Sequence, residues 1–270
     1  MAKVVIPSNA FYHTWENCIR DWYNGNSMGI WADPNNILLL NDSLSKSLSS
    51  EYVPEPWWGN HDIDVPLHSV VINYNPGQGD SLQHRNIIPY RSSYANDIVD
   101  SGYLPKTANW HFVRRAKPIL SSLVRVGALP NYKPSLSNHL SVELMPWHTE
   151  NIGAKCGFTN YFKNNIRNIY EYSICFAAHE SKRIANDKLR NVVLLRLSGN
   201  RTKEMLKLLD GIGYHSVVKG INVVPGTTSY SMEYSIKRMS DVRFISIWGS
   251  RLRNNFPKGC DLDYILKNFI

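Results

Sequence analysis

The chain has 270 residues, of which 43% are hydrophobic and 19% are charged, a composition that excludes an intrinsically disordered protein. No apolar run reaches the ~20 residues of a membrane-spanning helix, and residues 1–7 are too short for the apolar part of a secretory signal. We therefore expect a soluble, cytoplasmic protein without a membrane partner, and a monomer. The four cysteines lack the paired spacing of a zinc or iron–sulfur site, so no metal or other cofactor is expected.

Charge is distributed unevenly around the formal net charge of +8. Residues 1–90 carry four basic and nine acidic side chains, a net of −5, whereas residues 181–270 carry sixteen basic and seven acidic ones, a net of +9. A basic carboxyl-terminal third favours a polyanionic partner such as DNA or RNA, because neutralising phosphates supplies the nonspecific part of that binding. A solvated basic face is the alternative interpretation.

The predicted elements begin with a helix over residues 11–23 and a turn at residues 33–36. Prolines at positions 54 and 56 predict an extended linker over residues 51–56, since proline disfavours helix at the residue before it. We therefore divide the chain into a helical extension, residues 1–50, and an α/β domain, residues 51–270.

Within that domain, apolar segments at residues 65–75, 139–145, 191–198 and 242–248 predict strands, and residues 118–126, 163–188 and 202–209 predict helices. Near-continuous apolar strands are typical of a parallel sheet that is covered on both faces. The alternation predicts a three-layer α/β/α sandwich with a mainly parallel central sheet. Ligands of such sheets bind at the carboxyl ends of the strands, so the loops after residues 75, 145, 198 and 248 should share one rim.

Two of these loops follow strands that end in distinctive residues. The first continues into Asn75-Pro76-Gly77, a tight turn that exposes backbone amides and one carboxamide. The second strand holds Glu143 three residues before a proline, followed by Trp147 and His148. A buried glutamate needs partners. It is therefore either a pocket acceptor beside those two aromatic residues, or a side chain that is bonded to backbone amides or faces outward.

The last loop, residues 247–257, is basic. Its Ser250, Arg251 and Arg253 could bind phosphates, while Leu252 could insert as an apolar wedge. An exposed basic loop without a function is the alternative.

Together the three rim segments resemble the uracil-DNA glycosylase superfamily, over about residues 50–257. The resemblance implies a uracil-DNA glycosylase-like fold and makes Asn75 the residue that positions the attacking water. Glu143 stands where the family has its base-reading asparagine. Asn73 stands where the family usually has glycine, and Trp248-Gly249-Ser250 replaces a motif with a histidine that this chain lacks. Residues 55–60 and the Glu-x-x-Pro-aromatic-His pattern are most similar to a largely uncharacterised bacterial branch.

The glutamate predicts a substrate other than uracil. Asparagine both donates and accepts hydrogen bonds, whereas a carboxylate only accepts, and the exocyclic amino group of cytosine is its natural partner. Unmodified cytosine is excluded because its excision would destroy the host genome. We therefore predict a monofunctional DNA glycosylase that flips out and excises a modified cytosine-type base and leaves an abasic site. Hypermodified cytosines in phage DNA would make this a defence enzyme.

Further residues have candidate roles in such a reaction. Asp80 is a possible general base, and the backbone around Gln78 could contact the base. Tyr74 and Trp147 are candidates for stacking on it, and His148 flanks the acceptor. Arg251 or Leu252 would enter the DNA stack.

Three other functions stay open. The missing histidine favours a glycosylase-like module that binds nucleic acid without cleaving it, and a uracil-DNA glycosylase of the usual specificity is the second. The third is an α/β hydrolase or transferase that acts on a small ligand, although the chain has no Gly-Lys-Ser/Thr phosphate loop.

Overall fold

The computed structural model describes residues 8–23, 31–33, 36–38, 55–60, 62–74, 116–130, 136–144, 167–196, 205, 209–211, 214–223, 229–237, 242–249, 262–264 and 266–267. In these residues the helices are α1 (Ser8–Tyr23), α2 (Lys117–Arg125) and α3 (Arg167–Glu180). The strands are β1 (Trp31–Asp33), β2 (Asn36–Leu38), β3 (Trp57–Gly59), β4 (Ser69–Asn73), β5 (His139–Glu143), β6 (Val192–Arg196), β7 (Tyr214–Val223), β8 (Ser229–Lys237) and β9 (Arg243–Gly249).

Seven of the strands form one mixed sheet in the order β3-β5-β4-β6-β9-β8-β7. Its centre is parallel, because β4 pairs with β6 and β6 pairs with β9 in that sense. Strands β8 and β7 extend one side through antiparallel pairings. The predicted α/β class with a mainly parallel sheet is thus confirmed, whereas the three-layer arrangement and the glycosylase-like fold stay predictions.

The central strands β4 and β6 are buried along almost their whole length, as their apolar sequences predict. All five residues of β4 are buried, and so are the first four residues of β6. In the register, Val71 lies opposite Leu194, and Val193 lies opposite Phe244 of β9. Branched and aromatic side chains therefore pack from strand to strand at the centre of the sheet.

Strand β5 is equally buried but is not apolar. His139, Ser141 and Glu143 alternate with Leu140 and Val142, and none of the five is more than 1% exposed. Alternation along a strand sends successive side chains to opposite faces. One face of β5 is therefore polar and still excluded from solvent, which requires hydrogen-bond partners for each polar side chain.

Strand β3 runs alongside β5 in the opposite direction. The amide of Glu143 donates to the carbonyl of Pro56 over 2.9 Å, and the amide of Asn60 donates to the carbonyl of His139 over 2.7 Å. Between them, Gly59 has a φ of +108°, and a Cβ atom at this position would lie only 2.0 Å from the His139 carbonyl oxygen. Glycine is therefore required where β3 passes β5.

Two hairpins were not among the predicted elements. Strands β1 and β2 are antiparallel and flank the predicted turn, with Asp33 opposite Asn36. Residues 1–50 are thus not helical throughout. Strands β7 and β8 form a longer antiparallel pair whose register shifts between Ser216 and Val218. Of the predicted helix at residues 202–209, Met205 and Leu209 are described, and both are helical.

Near the carboxyl terminus, Asp263 bonds to α2. Its carboxylate accepts a hydrogen bond from Ser122 Oγ and two from the Arg125 guanidinium, at 2.7 and 2.8 Å. The guanidinium keeps the pKa of Asp263 below its ordinary value, and Asp263 raises the pKa of Arg125. This half-exposed ion pair joins residues that are far apart in the sequence.

The chain divides into two compact units, each built from separate segments. The first comprises Met1–Trp58, Asn75–Ala108 and Glu143–Phe176, and the second comprises Gly59–Tyr74, Asn109–Val142 and Ala177–Ile270. The predicted division at residue 50 follows neither unit and stays a prediction. None of the helices in the described part of the chain is both long and apolar enough to cross a membrane.

Candidate functional site

In the first unit, Glu143 is a buried carboxylate with an aromatic partner. Its side chain accepts a hydrogen bond at Oε1 from Trp58 Nε1 over 2.9 Å, and the two residues are 1% and 2% exposed. The backbone carbonyl of Glu143 accepts a hydrogen bond from Ser173 Oγ at 3.4 Å. Glu143 therefore does not face outward, and an indole is one of its partners. A carboxylate so far from solvent is stable only when it is hydrogen-bonded.

A cluster of aromatic rings supports Trp57, the residue before the indole donor. Phe11 of α1 stacks on Phe176 of α3 with ring centroids 3.7 Å apart, and Tyr12 meets the Trp57 ring edge-to-face at 4.9 Å. Tyr172 also stacks on Phe11, at 5.3 Å, and its hydroxyl donates to Ala10 and Thr14 of α1. Helix α1 is thus part of the core of this unit.

Trp57 and Trp58 belong to the same short strand, so their side chains point to opposite faces. The Trp57 ring enters the aromatic cluster, and the Trp58 ring turns to the other face, where it donates to Glu143. Packing on one face therefore holds the strand that places the donor on the other. Both rings are almost fully buried, at 1% and 2% exposure, which limits their movement.

The second unit contains a buried chain of polar side chains, Ser69–His139–Ser141–Asn73. Ser69 Oγ lies 2.8 Å from His139 Nδ1, and Ser141 Oγ lies 2.9 Å from His139 Nε2. Asn73 Nδ2 donates to Ser141 Oγ over 3.3 Å. This series of hydrogen-bonded side chains ends at Asn73, the last residue of β4. All four residues are at most 2% exposed, so these bonds replace contacts with water.

Burial keeps the histidine of this chain neutral. Desolvation lowers the pKa of His139 from 6.5 to about 3. A neutral imidazole has one donor and one acceptor nitrogen. One of the two serine hydroxyls therefore donates to the ring, while the other accepts from it.

Asn73 has a further buried polar atom. Within the described part of the chain, no group is within hydrogen-bond distance of its side-chain oxygen, Oδ1. The Oδ1 atom of Asn73, at the end of this series of side chains, can therefore still accept a hydrogen bond.

The structure describes two of the predicted site residues. Glu143 is buried, and Tyr74 lies half-buried directly after β4. The remaining ones lie outside the described residues, namely Asn75, Gln78, Asp80, Trp147, His148, Ser250, Arg251, Leu252 and Arg253. The structure therefore does not test their roles.

Sequence reasoning missed the residues that form hydrogen bonds with Glu143 and Asn73. The predicted site residues include neither Trp58, which bonds to Glu143, nor His139 and Ser141 of the buried polar chain. The available signal was the strict alternation in His139-Leu140-Ser141-Val142-Glu143, which places three polar residues on one face of a strand between apolar neighbours.

In the described part of the chain, no group of three or more His, Cys, Asp or Glu side chains is placed to hold a metal ion. Comparisons of the chain with protein-family models, with curated proteins and with solved structures found no match.

Proposed function

We propose that this protein is a monofunctional DNA glycosylase that flips out a modified cytosine-type base and cleaves its glycosidic bond, leaving an abasic site. The observation that carries the proposal is the buried Glu143, whose carboxylate is held by the Trp58 indole. A carboxylate in this setting accepts hydrogen bonds and offers no donor. The cytosine edge presents an amino group, which can donate to the carboxylate. The uracil edge presents an oxygen at the same position, which would set an acceptor against an acceptor.

The reaction needs a group that activates water and a surface that holds DNA. By the resemblance, Asn75 positions the water and Asp80 is a possible base for it. The loop with Ser250, Arg251, Leu252 and Arg253 would bind phosphates and enter the space of the flipped base. The basic carboxyl-terminal third, with a net charge of +9 over residues 181–270, would strengthen that binding.

An excision assay tests this function directly. Duplex and single-stranded oligonucleotides would carry uracil, alkylated bases, or plain, hydroxymethylated or glucosylated cytosine, and alkali would cut any abasic site. We expect cleavage only at a modified cytosine. Asn75→Ala should abolish it, and Glu143→Gln should lower it by at least about tenfold, because the Trp58 indole engages the single amide oxygen and leaves the NH2 group to face the amino group of the base.

Asp187→Asn is the matched control for the loss of a carboxylate, because the Asp187 side chain is 89% exposed. It should cleave like the wild type. Excision of uracil by the wild type would instead retain the glycosylase and refute the role given to Glu143.

A second candidate is a glycosylase-like module that binds nucleic acid without cleaving it. The observation in its favour is Trp248-Gly249-Ser250, where the resembled family has a histidine that stabilises the departing base. Tight binding to modified DNA with no abasic product for any base would identify this module. A defence role follows only if the excised base belongs to foreign DNA. Plating phages with modified and unmodified cytosine on cells that express the protein tests that role.

A further inference from the structure

Trp58 imposes a direction on the hydrogen bond that it shares with residue 143. An indole nitrogen only donates, so the atom opposite it must accept. Oε1 of Glu143 meets this requirement at 2.9 Å. Glutamate satisfies it with either oxygen, since the two oxygens of a carboxylate are equivalent.

We propose that Trp58 is a positioning residue for base recognition: it requires an acceptor atom opposite its N–H, and so decides which atom of residue 143 is offered to the base wherever the two terminal atoms of that residue differ. This inference rests on the proposed function and concerns the same site. Trp58 does not touch the base. It acts by engaging one oxygen of residue 143, so that the second side-chain atom is presented in a fixed direction.

The local geometry leaves little freedom for this arrangement. Strands β3 and β5 are hydrogen-bonded beside the pair, through the Glu143 amide and the Pro56 carbonyl at 2.9 Å. On the other face of β3, the Trp57 ring is packed against Tyr12 of α1. These two restraints hold the Trp58 indole in place, so it does not move when the side chain of residue 143 rotates.

The consequence appears when the carboxylate is replaced by an amide. In Glu143→Gln the two terminal atoms differ, and the Trp58 indole accepts only the arrangement in which the amide oxygen faces it. The NH2 group must then take the place of the second carboxylate oxygen. An acceptor becomes a donor, so the variant should prefer a base with an oxygen at C4 to a base with an amino group there.

Equilibrium binding of the full chain to paired oligonucleotides tests this reversal. One oligonucleotide contains 5-hydroxymethylcytosine and the other 5-hydroxymethyluracil, so that the two bases differ in the amino or oxo group at C4 and in the hydrogen that the uracil carries at N3. A 2′-fluoro substituent on that nucleotide suppresses cleavage, because it disfavours positive charge on the sugar. The wild type should prefer the amino base by roughly 5- to 150-fold, the range of single-base discrimination, and Glu143→Gln should prefer the oxo base.

The role of Trp58 is tested in the double variant Trp58→Phe with Glu143→Gln. Phenylalanine keeps an aromatic ring but removes the donor, so the amide is free to turn either way, and the preference should fall to within about threefold of unity. Trp58→Phe alone should keep the amino preference, because both oxygens of Glu143 accept. A residue that only supports the fold would weaken the binding of both oligonucleotides equally.

Trp57→Phe combined with Glu143→Gln is the matched control, since it removes the neighbouring indole on the opposite face of β3. This double variant should keep the reversed preference. The indole N–H signals in a ¹⁵N spectrum provide a readout without DNA, because the Trp58 signal should move in Glu143→Gln and the Trp57 signal should not. Circular dichroism identifies any variant that fails to fold.

Two results would overturn the inference while leaving the proposed function intact. In the first, Glu143→Gln still prefers the amino base. In the second, the double variant with Trp58→Phe discriminates as strongly as Glu143→Gln alone. Failure of the wild type to bind or cleave any DNA would refute the proposed function, and the inference with it.

Discussion

His139 should make the stability of the protein depend on pH in a defined window. Its pKa is about 3 in the folded state and near 6.5 when the chain unfolds, so between these values only the unfolded chain binds the proton. The stabilising effect is therefore complete above pH 6.5 and is lost as the pH falls toward 3. The expected slope is at most about 1.4 kcal/mol per pH unit.

Chemical denaturation of the wild type and of His139→Gln at several pH values between 7 and 4 measures this contribution. The variant is expected to be less stable at pH 7, because it loses bonds to Ser69 and Ser141. Its stability should also fall less steeply as the pH is lowered. Other residues such as His68 contribute equally to both proteins, so the difference between them isolates His139. If the free energies of unfolding of the two proteins fell in parallel as the pH is lowered, His139 would not titrate as a buried group.

At the scale of single residues, sequence reasoning identified Glu143 because a carboxylate inside an apolar strand is conspicuous. It did not identify Trp58, since nothing in the sequence links an indole to a carboxylate 85 positions away. Burial of His139 was equally out of reach. Alternating polar residues ordinarily indicate a strand with one solvated face, and only the neighbouring strands show that this face is covered.

Among the secondary-structure elements, β3 depends on Gly59. Gly59→Ala should lower the free energy of unfolding by about 2–4 kcal/mol, because it combines an unfavourable φ with a contact of 2.0 Å to the His139 carbonyl. Relief of that contact must move β3, which carries Trp58.

Gly127→Ala is a suitable comparison for that substitution. Gly127 follows α2 with a φ of +73°, and a Cβ atom there would have no neighbour within 4 Å. Only the conformational cost remains, about 1 kcal/mol. Urea denaturation of both variants separates the cost of the backbone conformation from the cost of steric overlap. Equal decreases in the free energy of unfolding would mean that β3 moves away from β5 at little cost.

The elements themselves were predictable where their patterns were long. The apolar runs of β4, β6 and β9 and the helix α1 were found close to their observed bounds. Strand β8 was missed although Tyr230, Met232, Tyr234 and Ile236 alternate with polar residues, so its period-2 signal was present and was not used. Strand β3, with three residues, is too short for any periodic signal.

At the scale of the whole molecule, the aromatic cluster ties α1 to the first unit. Phe11→Ala should destabilise the protein by about 3–5 kcal/mol, because its fully buried ring contacts Tyr172 and Phe176. Ile63→Ala provides the comparison, since Ile63 is 54% exposed and its truncation should change stability by less than about 0.5 kcal/mol. Thermal or urea denaturation followed by circular dichroism measures both changes. A Phe11→Ala loss as small as that of Ile63→Ala would mean that α1 does not belong to the core.

The two discontinuous units show the limit of what the sequence could predict about the whole chain. Linear signals such as the prolines at 54 and 56 suggested a boundary at residue 50. That boundary stays a prediction. The compact units combine segments that are far apart, such as Met1–Trp58 with Glu143–Phe176. Packing between distant segments cannot be predicted from local sequence patterns, because the sequence of one segment does not identify the segment that it contacts.

The stacking of Phe11 on Phe176 also has a consequence for the newly made chain. The two residues lie 165 positions apart, so Phe11 lacks this stacking partner until Phe176 has been synthesised. At roughly 5–20 residues per second, that interval lasts on the order of ten to thirty seconds. Throughout it, the Phe11 ring lacks the ring on which it stacks in the folded protein. A ribosome-associated chaperone should therefore crosslink at position 11 in stalled chains that end before Phe176 and lose that crosslink in chains that extend well beyond it.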